Sequence, residues 1–421
     1  MSEPGSDFLH KALFGFYALF IFSSTFSIAL SQISLGLALL FFIIVLIKNR
    51  HRPCVKELRW FYIFIGLYII WLVVTSAMAE RPLASMKDTK EEWLFFIVPI
   101  GIYLFQSEKY RRWLITAFAA GVALVALYGL TQNITGTHWF KSDTVNLTAG
   151  GTVRVSGNFS HPLTFGNYFA TAGLFFVGFV VSKFRLPRGW RSWLITIAPV
   201  LALAAVIFTY SRGAMAAAVA GLLALGVLFK RKYFFYVAAV IVIIVVAVFS
   251  LPAFQERYTK NLLRDFNTEH EEGRVFIWSK SLHIVADHPL FGVGQGGFSR
   301  AYKTYLREDI PWWRVYPHAH NDFLQIAAIS GIPGLIFFVG IWAAAMGLFW
   351  KTYRSERVSE EDRRLALAAL LGSIVFLVGS LSECTFGDEE VRQMLMFIWA
   401  AGLSVTYKYG RQKSTPVNNT P

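Results

Sequence analysis

The chain has 421 residues, of which 55% are hydrophobic, 16% aromatic and only 16% charged, and its mean hydropathy is +0.48. This composition excludes a disordered chain, a collagen-like repeat and a disulfide scaffold, because apolar content is high and there are only two cysteines. A net charge of +14 would point to nucleic acid in a soluble protein; in a chain this apolar, the first question is on which side of a membrane the basic residues lie.

Twelve apolar runs, some of them short, are read as crossing a hydrocarbon core about 30 Å thick. They fall at roughly 9–29, 32–47, 60–78, 93–106, 113–131, 163–181, 193–209, 213–229, 233–250, 332–350, 365–382 and 393–407. The expected fold is therefore all-α, a single polytopic membrane domain over 1–421 with about twelve spans. No A-x-A cleavage site follows the first run and a second apolar run comes at once, so it reads as a helix and not as a signal peptide. With the N-terminus inside, the inside segments hold 24 of the 40 Lys and Arg and 8 of the 26 Asp and Glu, a balance of +16 that leaves −2 for the rest. That is the positive-inside pattern, and it puts both termini on the inner side. The basic excess then orients the protein and attracts anionic lipid headgroups, which removes the nucleic-acid reading. Cys54 falls inside and Cys384 outside, so they cannot pair. The polar tail from Arg411 to Pro421 reads as disordered.

Inside loops are short, whereas two outside segments are long, about 132–162 and 251–331, and function concentrates on such loops. The first carries Arg154 and His161 in VRVSGNFSHPLTFGNY. Next, Arg212 lies in FTYSRGAMAAA, in a sharp outside turn with no acidic neighbour, where it is either a snorkelling anchor or an anion ligand. The second long segment opens with Arg274 behind Glu271 and Glu272, for which a local ion pair is the simpler reading. Val275, Trp278, Leu282 and Val285 then recur with helical spacing. Gly292, Gly294 and Gly297 satisfy G-x-G-x-x-G, but a dinucleotide site needs a preceding strand in a βαβ unit and a cytoplasmic nucleotide, and this run lies in an outside loop. They read as a flexible turn between short helices, or less simply as backbone N–H groups facing a phosphate. Trp312 and Trp313, beside Arg314, suit a sugar or headgroup platform or an interface anchor.

The densest polar cluster is PHAHNDFLQ, holding His318, His320, Asn321 and Asp322. Asn321 and Asp322 are good N-caps, so a short helix starts there and ends at Ser330-Gly331-Ile332-Pro333-Gly334, before the next span. His320 then sits at a helix N-terminus, whose dipole favours a neutral ring able to accept a proton. The alternatives are a metal held by H-x-H, for which Asp322 is the only local carboxylate, and plain capping with no chemistry. Three arginines and two histidines gathered on one face would suit a lipid diphosphate at headgroup level.

At these residues the chain resembles the O-antigen ligase family of Gram-negative inner membranes, whose fold is shared with O-antigen polymerases and bacterial protein O-oligosaccharyltransferases. The resemblance rests on TYSRGAM around Arg212, EGRVFIWSKSLHIVADHPLFGVG after Arg274, HAHNDFLQIAAISGIPGL around His320, and the twelve-span layout with one large outside loop between spans nine and ten. It implies a metal-independent glycosyltransferase without cofactor, acting on the periplasmic side; a single displacement would invert the anomeric centre, and the charge pattern puts both termini in the cytoplasm. Its donor would be O-antigen glycan on undecaprenyl diphosphate, and its acceptor a sugar hydroxyl of the lipid A–core oligosaccharide. His320 takes the place of the general base, and Arg212 and Arg274 those of the diphosphate ligands. Arg154, His161, His318 and Asn321 are added as substrate-binding candidates from position and chemistry. A polymerase or a protein-modifying transferase would use the same donor chemistry. A secondary transporter or flippase is the rival of another class, but it would place ionisable residues near the bilayer midplane, where these runs have almost none.

Overall fold

The computed structural model describes residues 8–49, 55–139, 145–148, 151–181, 189–229, 273–307 and 315–414, with scattered positions between 235 and 255. The regular elements among the described residues are all helices, with one isolated antiparallel bridge between Leu147 and Val153. In chain order the helices are α1 (Phe8–Ser23), α2 (Ile28–Asn49), α3 (Arg59–Ala77), α4 (Pro82–Asp88), α5 (Ile97–Leu104), α6 (Glu108–Thr135) and α7 (Pro162–Val181). There follow α8 (Trp190–Ile207), α9 (Arg212–Phe229), α10 (Arg274–Asp287), α11 (Phe298–Thr304), α12 (Asp322–Arg354), α13 (Glu360–Ser380) and α14 (Glu389–Ser414).

Seven of these are long and apolar enough to cross a membrane: α2, α3 with the 3-10 turn before it, α6, α7, α8, α12 and α13. The expected count of about twelve is therefore met only in part among the described residues. The run at 93–106 is not one continuous α-helix: Thr89–Phe96 is 3-10, and α5 has eight residues, about 12 Å of rise. Almost all of α5 is buried, with Gly101 pressed against Ala400 and the Tyr17 hydroxyl. Helices α1 and α9 are apolar but shorter, and the ninth run, 233–250, lies largely outside the described residues, as do Trp312, Trp313 and Arg314. The segment read as a tail from Arg411 is helical to Ser414, and 415–421 lie outside the described residues.

Burial divides the helices into two shells. In α6, α7 and α13 between 67% and 78% of the apolar window is buried, against 28–33% in α2, α3, α8 and α12. The outer four turn Ile33, Ile47, Ile70, Val200 and Ile336 outward, as helices facing hydrocarbon should. Helix α14 is tied to its neighbours by polar side chains: Trp399 Nε1 donates to Ser373 Oγ of α13 (3.1 Å), and Thr406 shares a hydrogen bond with Thr352 of α12 (3.0 Å).

The segments that charge assigns to the inner side meet at one end of the bundle. Arg111 at the start of α6 and Lys408 near the end of α14 both bind Asp362 at the start of α13, each at 2.8 Å. Tyr353 at the end of α12 donates to Leu228 O at the end of α9 (2.9 Å), and Arg191 stacks over Trp113 (3.8 Å). Every candidate site residue lies toward the opposite end.

At that end α12 is broken as expected. Gly331 has φ 70° and ψ −179°, and Pro333 follows, so the carbonyls just before the break lose their helical donors. Replacements come from the glycine run: Val293 N–H donates to Ala328 O (2.9 Å) and Gly294 N–H to Ile329 O (3.0 Å). Trp71 Nε1 supplies Ser330 O (2.7 Å), and Ile332 N–H reaches Pro289 O (2.8 Å). The run FGVGQGG does connect two helices, α10 and α11, but it is fixed as a plug in the break and is not a flexible turn. A Cβ on Gly292 (φ 63°) would lie 2.5 Å from the Ile329 carbonyl carbon. Its N–H groups at 292, 293, 294 and 297 are all taken by protein carbonyls, which leaves little of it to face a phosphate.

Candidate active site

Four separate stretches supply the site, each at a helix end. Helix α10 starts at Arg274, where sequence spacing predicts a helix, but the face it buries is Ile277, Ser281 and Ile284. Leu282, expected on the buried stripe, is 55% exposed. Arg274 does not rest on a local ion pair alone: Nη2 lies 3.5 Å from Oε2 of Glu383, in the turn between α13 and α14. Glu271 and Glu272 lie outside the described residues.

Helix α12 begins where expected, with Asn321 as N-cap accepting from Leu324 N–H (3.0 Å). Its amide Nδ2 donates to Leu381 O (3.1 Å), so both polar ends of this candidate substrate ligand are engaged with the protein. His320 has φ +50°, left-handed for a residue with a Cβ. Trp278 Nε1 donates to its carbonyl (3.3 Å), its N–H donates to His318 Nδ1 (3.3 Å), and the two imidazoles meet edge to face at 4.3 Å.

His320 Nδ1 lies 2.7 Å from Glu383 Oε1. Burial alone would raise the Glu383 carboxyl, but the hydrogen bond from His320, the positive charge that ring carries when protonated and the charge of Arg274 outweigh it and hold the pKa at about 2. The carboxylate is thus ionised and acceptor-only, so His320 donates through Nδ1–H and keeps Nε2 as the proton acceptor. Burial, then the charge of His320, pushes His318 down to about 4, which keeps it neutral and able to accept from the backbone. Sequence reading counted Asp322 as the only nearby carboxylate and missed Glu383, which arrives from 63 positions further along. The available signal was an acidic turn, SECTFGDEE, between two apolar runs.

Arg212 opens α9. The next residue, Gly213, abuts Ser382 in the Glu383 turn, and a Cβ placed on it would be 3.9 Å from Arg274 Nη1. The chain enters α9 through Tyr210 at φ +54°, the other left-handed non-glycine residue among the described residues. Two such residues at the mouths of two site helices fit strain held in place by a functional constellation. Arg154 is fastened to the same turn: Nε donates to Thr209 O (3.1 Å), and Val155 N–H to Phe208 O (3.0 Å). His161 precedes α7, is exposed, and lies close enough to His318 for its charge to depress that ring. The two histidines, Arg274 and Glu383 therefore converge, with Arg212 beside them and Arg154 one turn behind.

His318, His320 and Glu383 each offer a ligand atom within 4.8 Å of the other two, so this cluster has the donors to hold a cation. Its contacts are also accounted for without one, because Glu383 accepts from His320 Nδ1–H and His318 Nδ1 from a backbone N–H.

No curated protein matches the chain. Residues 197–339, from the middle of α8 to the second half of α12 and so including Arg212, Arg274 and His320, match the family model described as O-antigen ligase, so this part of the chain is similar to that family.

Proposed function

We propose that the protein transfers O-antigen glycan from undecaprenyl diphosphate to the lipid A–core oligosaccharide, at the periplasmic face of the inner membrane. The single observation that carries this reading is the linked set His320–Glu383–Arg274, at 2.7 and 3.5 Å, beside the start of α9. Nε2 of His320 takes the proton from the acceptor hydroxyl as its oxygen attacks the anomeric carbon. The glycosyl–phosphate bond breaks on the opposite face, which inverts the centre. Negative charge then develops on the departing lipid diphosphate, and the guanidinium groups of Arg212 and Arg274 are suited to stabilise it. Glu383 holds the ring in the accepting tautomer and carries the counter-charge when the imidazolium forms.

A polymerase and a protein-directed transferase would use the same donor half, so the acceptor is the decisive variable. The test supplies lipid-linked glycan and core lipopolysaccharide to the purified protein. Capped core lipopolysaccharide is expected from the wild type in the presence of chelator, and none from His320→Ala or Arg274→Ala. Growth of the lipid-linked chain, or strict dependence on added divalent metal, would overturn the ligase or the metal-free reading respectively. In cells, either variant should lose long-chain lipopolysaccharide while the lipid-linked donor accumulates.

A further inference from the structure

His320, Glu383 and the two arginines account for the transfer step without Asp322, yet Asp322 is 2% exposed and makes the most concentrated set of bonds near the site. It does not cap its own helix, since Asn321 does that. Its carboxylate turns instead to the loop between α13 and α14. Oδ2 accepts the Thr385 hydroxyl (3.0 Å), and both oxygens lie within reach of Phe386 N–H (3.1 and 3.0 Å). Thr385 is in turn bonded to Ser380 (3.1 Å), at the end of α13.

Three consecutive side chains are therefore stitched to one short turn. His320 binds Glu383, Asn321 binds Leu381 O, and Asp322 binds Thr385 and Phe386. Glu383 lies between those two backbone anchors, Leu381 and Phe386. The far side of the turn is held as well: the Phe386 ring packs on Phe338 (4.9 Å) and lies under the Arg392 guanidinium (4.8 Å), which Glu91 and Glu92 bind at 2.8 and 3.0 Å. Removing the Asp322 carboxylate would leave the buried Phe386 N–H without its acceptor and the Thr385 hydroxyl with Ser380 alone, and the turn would move to satisfy them.

We infer that Asp322 is a positioning residue, whose carboxylate sets the register of the 381–386 turn so that Glu383 meets both His320 and Arg274. The inference rests on the transferase reading for its activity test, though not for its spectroscopic one. Because misplacement of a catalytic group by about 1 Å can cost on the order of a hundredfold in rate, Asp322→Ala should lose about a hundredfold in turnover, with donor affinity little changed. Combined with Glu383→Gln, it should cost no more than Glu383→Gln alone, because Asp322 acts through Glu383. Asp322→Asn keeps one oxygen for Phe386 N–H and should recover most of the activity. If Asp322→Ala does not fold, Thr385→Val, close in shape to the native residue, should give a smaller loss that likewise vanishes in the Glu383→Gln background. Losses that add would overturn the proposal, and so would unchanged turnover. A readout without substrate is the His320 Nδ1–H proton in histidine-labelled protein, expected in the wild type and displaced by both Glu383→Gln and Asp322→Ala. If the wild type transfers no glycan, the functional reading fails, and this proton still decides the role of Asp322.

Discussion

Glu383 shows how much a single acidic side chain can organise. One oxygen fixes the tautomer of His320 and the other faces Arg274, so the proposed general base and a proposed diphosphate ligand are indexed to the same group. Glu383→Gln removes the charge that stabilises a protonated ring and leaves Arg274 with all its hydrogen bonds to offer. Turnover should fall by about a hundredfold, within the range expected of acid–base support, while donor affinity stays level or improves; loss of donor binding in a binding assay would show that Glu383 serves the substrate and not the base. His318 gives a pH prediction of definite sign. Its folded pKa of about 4 lies below the ordinary histidine value of about 6.5. Between these values the unfolded chain takes up a proton that the folded chain refuses, so stability is full above about pH 6.5 and falls as pH drops toward 4. Thermal unfolding in detergent should show this slope, and His318→Asn should flatten it. An unchanged slope would place the acid sensitivity elsewhere.

Helices α10 and α12 carry the site, and the glycine run between them decides how α12 can break. Gly292 and Gly331 have positive φ, and each would drive a Cβ into the backbone of the other segment. Gly136 also has positive φ (69°), but nothing lies within 4 Å of its Cβ position. Replacing Gly136 by alanine should therefore cost only the backbone term, about 1 kcal/mol. Gly292→Ala adds overpacking and should cost about 2 to 4 kcal/mol in all, seen as a clearly larger drop in unfolding temperature. Equal drops would mean that the plug is loose. The sequence alone marked the break, because Gly331 and Pro333 are local signals. It could not supply the partners of the orphaned carbonyls, which come from Val293 and Gly294 about 35 residues earlier and, for Ser330, from Trp71 in α3. For the same reason the run at 93–106 looked like a span: its apolar content was visible, whereas the division into 3-10 turn and buried α5 depends on packing against Ala400 and Tyr17.

At the scale of the whole molecule, charge proved the most readable property. Segments sorted only by their Lys and Arg content are joined at one end by Arg111, Lys408 and Asp362, while His320, Arg274 and Glu383 gather toward the other. Membrane orientation acts on each loop separately, so it leaves a local trace in composition. Convergence of the site leaves no such trace: residues 320–322 meet 381–386 only because α12 and α13 run antiparallel, and nothing in either stretch names the other. The same division of the molecule yields a direct test of sidedness. In a background lacking Cys54 and Cys384, a cysteine can replace Ser160, exposed beside His161, or Glu108, 59% exposed at the other end. A membrane-impermeant maleimide should modify Ser160→Cys in intact spheroplasts, and Glu108→Cys only after permeabilisation. Arg392, buried against Glu91 and Glu92 near the site end, carries no free charge to oppose this orientation. The reverse labelling pattern would place His320 in the cytoplasm, away from a glycan already carried across the membrane on its lipid, and the ligase reading would fall with it.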